Sequence, residues 1–302
     1  MSQKHPYRSL HVPNDAPFKL KPSPGKGWGA FATRRIEQGA MILKEKPLFV
    51  LRKPHQEITE ADIRAAFDRL GPSEKRQFLL LRDNGSSPFS NMERLCAENS
   101  FTLSTNSPGH GLFLLHSRFN HSCVPNSKVP TTGDEVIVSY ATRDIDADEE
   151  ITFCYNTDFE CRTRHERHQA LRFTCDCKAC LTGTPFQQVS DMRRRLLRGL
   201  QYLTVGVDLD GRRQDSTLII DSKLKKAAQD SSIPLSSRLF YYLLTMCLLA
   251  EEGLLDDFMV ERYKPAIETA VALFRTESNV VIVRHVMAQK SWLGKCGMAT
   301  RL

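Results

Sequence analysis

Residues Phe119 to Asn126 read FNHSCVPN, directly behind the apolar run Gly111–His116, GLFLLH. Two asparagines, a histidine, a serine and a cysteine are crowded into eight positions beside a segment that must be buried. Buried amides and imidazoles need hydrogen-bond partners. The cluster therefore either satisfies its own backbone or grips a polar ligand. A single histidine in such a place is ordinarily a satisfied structural group; the density of polar side chains shifts the balance towards a site.

A second concentration of chemistry lies at Cys175–Cys180, CDCKAC. Three thiols within six residues have the spacing of a zinc corner, and structural zinc takes four ligands in a tetrahedron. The alternative, a set of free core thiols, is disfavoured by the charged Asp176 and Lys178 between them. Cys161 is close in sequence and would close a local finger. Cys123, inside FNHSCVPN, would instead tie the thiol segment back to the polar cluster. Spacing does not choose between them. A third motif, Gly25–Gly29 (GKGWG), lets backbone approach a ligand closely. A dinucleotide-binding fingerprint needs an apolar strand ahead of its glycines, and LKPSP is not one. Alone, GKGWG is a weak signal, read equally well as a plain glycine-rich turn.

The chain has 302 residues, 41% hydrophobic and 25% charged, as in a soluble globular protein of two domains or one large one. Its longest apolar run, Phe240–Ala250, is too short to span a bilayer. The opening MSQKHPYRSL lacks the apolar core of a secretory signal. An intracellular, reducing location is expected, in the nucleus or cytoplasm, with the nine cysteines serving as ligands or core residues rather than disulfides. The net charge of +7 comes from the first 53 residues, which hold 11 Lys/Arg and 3 Asp/Glu. That segment either meets an acidic partner or is a solvated face. The run Arg193–Arg195 reads as a solvent-facing stretch of helix, with a nuclear address as the rival reading.

Prolines 13, 17, 22 and 24 make the entry extended. Strand character runs from Gly29 to Leu51 with a turn at Glu37-Gln38-Gly39, and returns at Glu135–Tyr140 (EVIVSY) and Ile151–Tyr155 (ITFCY). Thr59 and Asp62 predict a capping box opening a helix to Gly71, and Ser73 opens a second through Arg82, stopped at Asn84-Gly85. A charged helix is expected between Tyr155 and Cys175. Beyond Pro185 the periodicity predicts helices over 188–203, 216–230, 235–251, 255–275 and 279–292.

Taken in order, GKGWG, NHSCVPN, EEITFCY and FTCDCKAC resemble the SET-domain protein-lysine methyltransferases. The resemblance covers about residues 17–181 and is nearest to the branch holding the SET–MYND enzymes and many fungal SET proteins. A MYND zinc finger is missing: residues 52–98 contain one cysteine, Cys96, and one histidine, His55. The implied fold is α+β. A β-rich SET domain over 17–155, with a knot-like crossing and a helical insert at about 52–98, precedes a zinc-binding post-SET segment over 156–182. An all-α region over 187–302 follows, either a stabilising cap or a wall on the substrate side.

The resemblance implies S-adenosylmethionine as methyl donor. Lys26, Gly27 and Trp28 would line it, Asn120 and His121 would hold it by main-chain and amide contacts, Asn99 would meet its amino-acid end, and Phe173 would pack on the adenine. Tyr155 would be the catalytic tyrosine. The zinc ligands implied are Cys123, Cys175, Cys177 and Cys180. The partner would be a protein or peptide carrying a target lysine, with histone tails among the candidates. A monomer is expected, without membrane or direct nucleic-acid binding. A catalytically silent peptide-binding scaffold and a nucleic-acid-binding zinc protein are the rival readings. Two features depart from the family's pattern. Leu171-Arg172-Phe173 is a short link to the thiols, and the acidic turn Asp146-Ala147-Asp148-Glu149 stands where a glycine is usual. The chemistry asks little of side chains. A free lysine titrates near 10.4, so neutralising it at pH 7 costs roughly 4–5 kcal/mol. An apolar channel and the donor's positive sulfur lower that cost, and the remaining task is alignment.

Overall fold

The computed structural model describes residues 5–83, 87–103, 109–130, 136–171, 173–209 and 219–273. The helix expected over 279–292 and the stop expected at Asn84-Gly85 lie outside the described residues. The chain divides into two units, Met1–Tyr155 and Asn156–Leu302. No helix among the described residues is long and apolar enough to cross a membrane.

In the first unit the strands are β1 (Phe18–Ser23), β2 (Gly27–Ala32), β3 (Met41–Glu45), β4 (Phe49–Leu51), β5 (Ser100–Thr102), β6 (His110–Leu112), β7 (Asn120–His121), β8 (Ser127–Lys128), β9 (Ile137–Ala141) and β10 (Glu150–Phe153). They form three small sheets, ordered β1-β2-β10-β7, β3-β9-β8 and β4-β6-β5. The GKGWG motif is the turn between β1 and β2, with Ser23 opposite Gly27. Gly25 (φ 72°) and Gly27 (φ 75°) hold the left-handed conformation that this turn requires. Beyond the turn, Ala30 and Ala32 are fully buried and join Phe18, Ile42, Leu112, Phe119, Ile145 and Ile151 in one core. Most strands here are antiparallel; β7 and β10 run parallel, placing Thr152 beside Asn120 and Phe153 beside His121. This pairing brings the FNHSC and ITFCY segments together, as the expected crossing requires.

Between β4 and β5 lies the helical insert, α1 (Glu60–Asp68), α2 (Pro72–Leu79) and α3 (Met92–Asn99). The Thr59–Asp62 capping box is present, with each backbone N–H received by the other's side chain. The second helix begins one residue earlier than Ser73, at Pro72, whose missing N–H costs nothing at the first helical position. The third helix has no counterpart among the helices read from the sequence. Asn91 caps it by accepting from the Arg94 N–H at 2.8 Å, and it buries Cys96 against Ile63 and Leu51.

The second unit contains α4 (Arg164–Leu171), α5 (Pro185–Val205), α6 (Ser222–Gln229), α7 (Leu235–Glu252) and α8 (Asp257–Leu273). Thr184 caps α5 ahead of Pro185. Left-handed glycines, Gly206 and Gly253, end α5 and α7. Leu197, Leu249 and Met259 form the core where α5, α7 and α8 meet. The run Arg193–Arg195 does not face solvent as one basic stripe. At 100° per residue its middle member turns inward, and Arg194 is fully buried. Its Nε donates to Glu252 Oε2 at 3.0 Å, and Ser190 Oγ donates to the same oxygen at 2.8 Å. Removing one member of a fully buried pair strands the other charge, at about 3–5 kcal/mol. Glu252→Gln is therefore expected to lower the denaturant midpoint sharply, while Arg194→Met combined with Glu252→Leu recovers most of the loss.

Candidate active site and thiol cluster

The site grows from the β1–β2 turn. Gly29 is buried in β2, and a Cβ built there would fall 2.2 Å from Glu150 Oε1 and 2.9 Å from Asn120 Nδ2. A side chain there would have to displace the Glu150 carboxylate from this meeting point. Asn120 Nδ2 donates to Glu150 Oε1 at 2.7 Å and reaches the Trp28 carbonyl at 3.3 Å. Lys26 Nζ lies 3.8 Å from the other Glu150 oxygen. Lys26, Trp28 and Asn120, three of the residues singled out from sequence, thus converge around Glu150. The sequence reading gave Glu150 no role, although it lies within the EEITFCY run. Trp28 is half-buried under the His5 ring, stacked at 4.4 Å.

The last residue of NHSCVPN fixes the loop itself. Asn126 donates to Glu149 Oε1 and to the Glu150 carbonyl, both at 2.8 Å, and accepts from the Thr152 N–H at 2.8 Å. Ser122 N–H donates to the Phe153 carbonyl at 3.1 Å. His121, buried, accepts at Nδ1 from the Tyr155 N–H at 3.1 Å, and its Nε2 faces Cys123 Sγ at 3.2 Å. Although Tyr155 is 45% exposed as a residue, its phenol O–H donates to the Phe119 carbonyl at 3.2 Å. Burial at that end pushes its pKa up to about 12. The phenol therefore stays protonated at neutral pH and can position a group but not act as a base. Phe153, 5.0 Å from the Tyr155 ring, and Phe101, stacked on Phe153 at 5.6 Å, form an aromatic wall beside it.

Asn99 is buried, and its amide is already engaged. Nδ2 donates to the Leu95 carbonyl at 2.7 Å, and Oδ1 accepts from Arg118. Phe173 belongs to the second unit, on the segment after α4, and is exposed.

Helix α4 organises the thiols. Its charged face, uninformative as a hydrophobic pattern, carries side chains that hold the CDCKAC backbone. Arg164 Nε donates to the Cys180 carbonyl at 2.8 Å, and His168 Nε2 accepts from the Cys175 N–H at 3.3 Å. Arg167, fully buried, donates to the Ala179 carbonyl at 3.2 Å and to Cys180 Sγ at 3.3 Å. The sulfurs of Cys123, Cys175, Cys177 and Cys180 all lie within 4.8 Å of one another. Four bonds of about 2.3 Å in a tetrahedron place sulfurs about 3.8 Å apart, so this set can hold a zinc ion. Cys161 behaves differently. Burial pushes its pKa up to about 12, and its sulfur donates to Gln201 Oε1 at 3.2 Å, as a protonated thiol does.

A SET-domain sequence profile matches residues 27–156. The chain carries a SET domain. Among curated relatives, the Schizosaccharomyces pombe protein named histone-lysine N-methyltransferase set5 is 32% identical over 194 residues, covering 60% of this chain and 56% of its own. A Gibberella zeae protein named methyltransferase is 24% identical, covering 60% and 33%. The human protein named protein-lysine N-trimethyltransferase SMYD5 is 40% identical over 85 residues, covering 25% and 20%. The chain thus spans about half, or less, of the length of these relatives.

The SET domain's acidic turn explains one departure from the family's pattern. Asp148 has φ 64°, the conformation that glycine adopts freely. Aspartate tolerates it better than most residues, and here its carboxylate meets Lys21 at 3.1 Å and Lys19 at 3.5 Å. The hydrogen bond from Lys21 holds the Asp148 pKa below its ordinary value. The ion pairs thus contribute above the ordinary carboxylate range and are lost as pH falls through the depressed value. Asp148→Ala, with the strain kept and the pairs lost, is expected to lower the unfolding midpoint. Asp148→Gly should lie above Asp148→Ala, and the gap between wild type and Asp148→Ala should shrink in high salt.

Proposed function

We propose that this chain transfers a methyl group from S-adenosylmethionine to the side-chain amine of a lysine in a protein substrate. The observation that carries the reading is the convergence of Lys26, Trp28, Asn120 and Glu150 over Gly29, one strand-pair away from the protonated phenol of Tyr155. When bound, S-adenosylmethionine supplies the electrophilic methyl group and a positive charge. This chain's residues supply position. Backbone at Lys26, Gly27 and Trp28, with Asn120 and His121, would line the donor, and Asn99 would face its amino-acid end. Phe173 would cover the adenine. Tyr155 would orient the incoming amine and accept weak CH···O contacts from the methyl group. Phe101 and Phe153 would offer the lysine stem an apolar wall, where the neutral amine is favoured over the ammonium. No side chain needs to attack or to hold the methyl group.

Cys123, Cys175, Cys177 and Cys180 would hold a structural zinc ion. Such sites contribute about 10–16 kcal/mol of apparent binding energy, as much as a domain's whole stability. One ion on these thiols would tie the segment after Tyr155 to the Asn120 segment. Relatives named for histone and protein lysines make a histone tail the first substrate to try. The nucleus or cytoplasm is the compartment such a substrate implies.

Calorimetric titration with S-adenosylmethionine tests the donor site without a known substrate. Asn120→Ala and Glu150→Gln should each weaken binding by about tenfold or more; binding indifferent to both would place the donor elsewhere. Cys177→Ser should lose zinc and donor affinity together. Tyr155→Phe should keep donor affinity and lose most transfer to mixed histones, and undiminished transfer would remove Tyr155 from the chemistry.

A further inference from the structure

His121 stands between two groups that the proposed function uses separately. Its own backbone is paired with Phe153, and its ring is buried 5.0 Å from the Tyr155 ring. The Tyr155 backbone N–H can only donate, so Nδ1, at 3.1 Å, must be the acceptor. In a neutral imidazole the remaining proton is then on Nε2. That nitrogen points at Cys123 Sγ, 3.2 Å away, so the N–H donates to sulfur. A thiolate accepts such a bond far better than a thiol, and metal-bound thiolates are held and oriented by donors of this kind. Cys180 Sγ receives a comparable donor from Arg167 at 3.3 Å.

We propose that His121 is a positioning residue that couples the thiol cluster to the main chain of Tyr155. Its imidazole reads the state of Cys123 through Nε2–H and sets the Tyr155 backbone through Nδ1. With metal on the thiols, the sulfur fixes the ring's tautomer and orientation, and the ring fixes the Tyr155 N–H. Without metal, the Cys123 sulfur is no longer held in place, the ring loses the partner that orients it, and Tyr155 loses its anchor. This assignment rests on zinc binding at the four cysteines and on Tyr155 as the residue that faces the lysine. It gives the metal a path to the phenol that runs through one side chain rather than through overall stability.

Two substitutions divide the ring's contacts. In His121→Asn the amide oxygen stands near the Nδ1 position and can accept from Tyr155, but the side chain is too short to reach Cys123. In His121→Gln the amide nitrogen can reach the sulfur, while nothing accepts at the Nδ1 position. The readouts are hydrogen exchange at the Tyr155 amide, zinc affinity by competition with a chromophoric chelator, and the thiolate-to-metal absorption of the cobalt-substituted protein. In the wild type, stripping zinc should speed Tyr155 exchange by about tenfold or more. His121→Gln should keep its zinc affinity and its cobalt spectrum, yet exchange Tyr155 fast whether or not zinc is bound. His121→Asn should protect Tyr155 but bind zinc about tenfold more weakly with a shifted cobalt band. Equal Tyr155 exchange in zinc-loaded and stripped wild type overturns the coupling even where a variant fails to fold, and so does failure of the wild type to bind zinc. A protein that shows the coupling yet binds no S-adenosylmethionine would refute the methyl-transfer reading and leave the coupling standing.

Discussion

The contact on which the first unit's site depends is the one between Asn120 and Glu150 over Gly29. It joins β7 to β10 by side chains as well as by their parallel ladder, and reaches back to the β1–β2 turn through the Trp28 carbonyl and Lys26. A partly buried carboxylate is costly unless it is paired and hydrogen-bonded. Glu150 has an amide on one oxygen and an ammonium near the other, so its cost is offset only while three separate stretches of chain stay in register. That makes Glu150 a test of assembly rather than a surface charge. The same demand bears on Gly29, since a methyl group there would push the Glu150 carboxylate off Asn120. Asn126 plays the matching part on the far side, satisfying backbone on both Glu150 and Thr152 where the ladder between β7 and β10 is too short to do so.

The second unit treats charge in a different way. Arg167 and Arg194 are among its largest fully buried side chains, and each acts as a multi-pronged donor to backbone or sulfur. Guanidinium suits this because its donors form a rigid planar fork. Arg194 needs Glu252 to neutralise it. Arg167 is instead aimed at carbonyls, the Cys180 sulfur and, at 3.8 Å, Asp191. A cluster of thiolates is itself a concentration of negative charge, and a buried cation beside it lowers the cost of having it there. The charged helix α4 is thus a holder for the thiol loop, although its sequence reads as solvent-facing.

What was legible in the sequence was chemistry concentrated in short runs. FNHSCVPN, CDCKAC and GKGWG each carry several unusual residues side by side, and the structure uses them where they stand: a loop stitched by Asn126, a thiol segment, a left-handed turn. The capping box at Thr59 was legible for the same reason, because both partners lie within one turn. Helices α5, α7 and α8 fell within a few residues of their expected bounds because their apolar stripes are long. Pairings across the chain were not legible. Glu150 reads like any other glutamate until Asn120, 30 positions earlier, is placed against it. Arg194 looks like the middle of a basic run until Glu252, 58 residues on, accepts from it. Helix α3 is only eight residues long, so its periodicity was too weak to find. Cys123 and Cys161 are equivalent by spacing; what separates them is what their sulfurs face, a histidine nitrogen in one case and a glutamine oxygen in the other.

The difference between those two cysteines also bears on what a metal held by the thiols would add. Phe153, the Tyr155 phenol and the Asn120–Glu150 pair all lie at or just beyond the ends of strands only two to four residues long, β7 and β10. Such strands contribute few ladder hydrogen bonds, and positioning chemistry is sensitive to displacements of about an ångström. Apolar packing cannot supply that precision for a residue as exposed as Tyr155. Directional bonds can: from the phenol to the Phe119 carbonyl, from the Tyr155 N–H to His121, and from the histidine to the Cys123 sulfur. A structural ion at the end of this chain of bonds would add rigidity where the β-sheet is too short to provide it, and would leave the face of Tyr155 exposed.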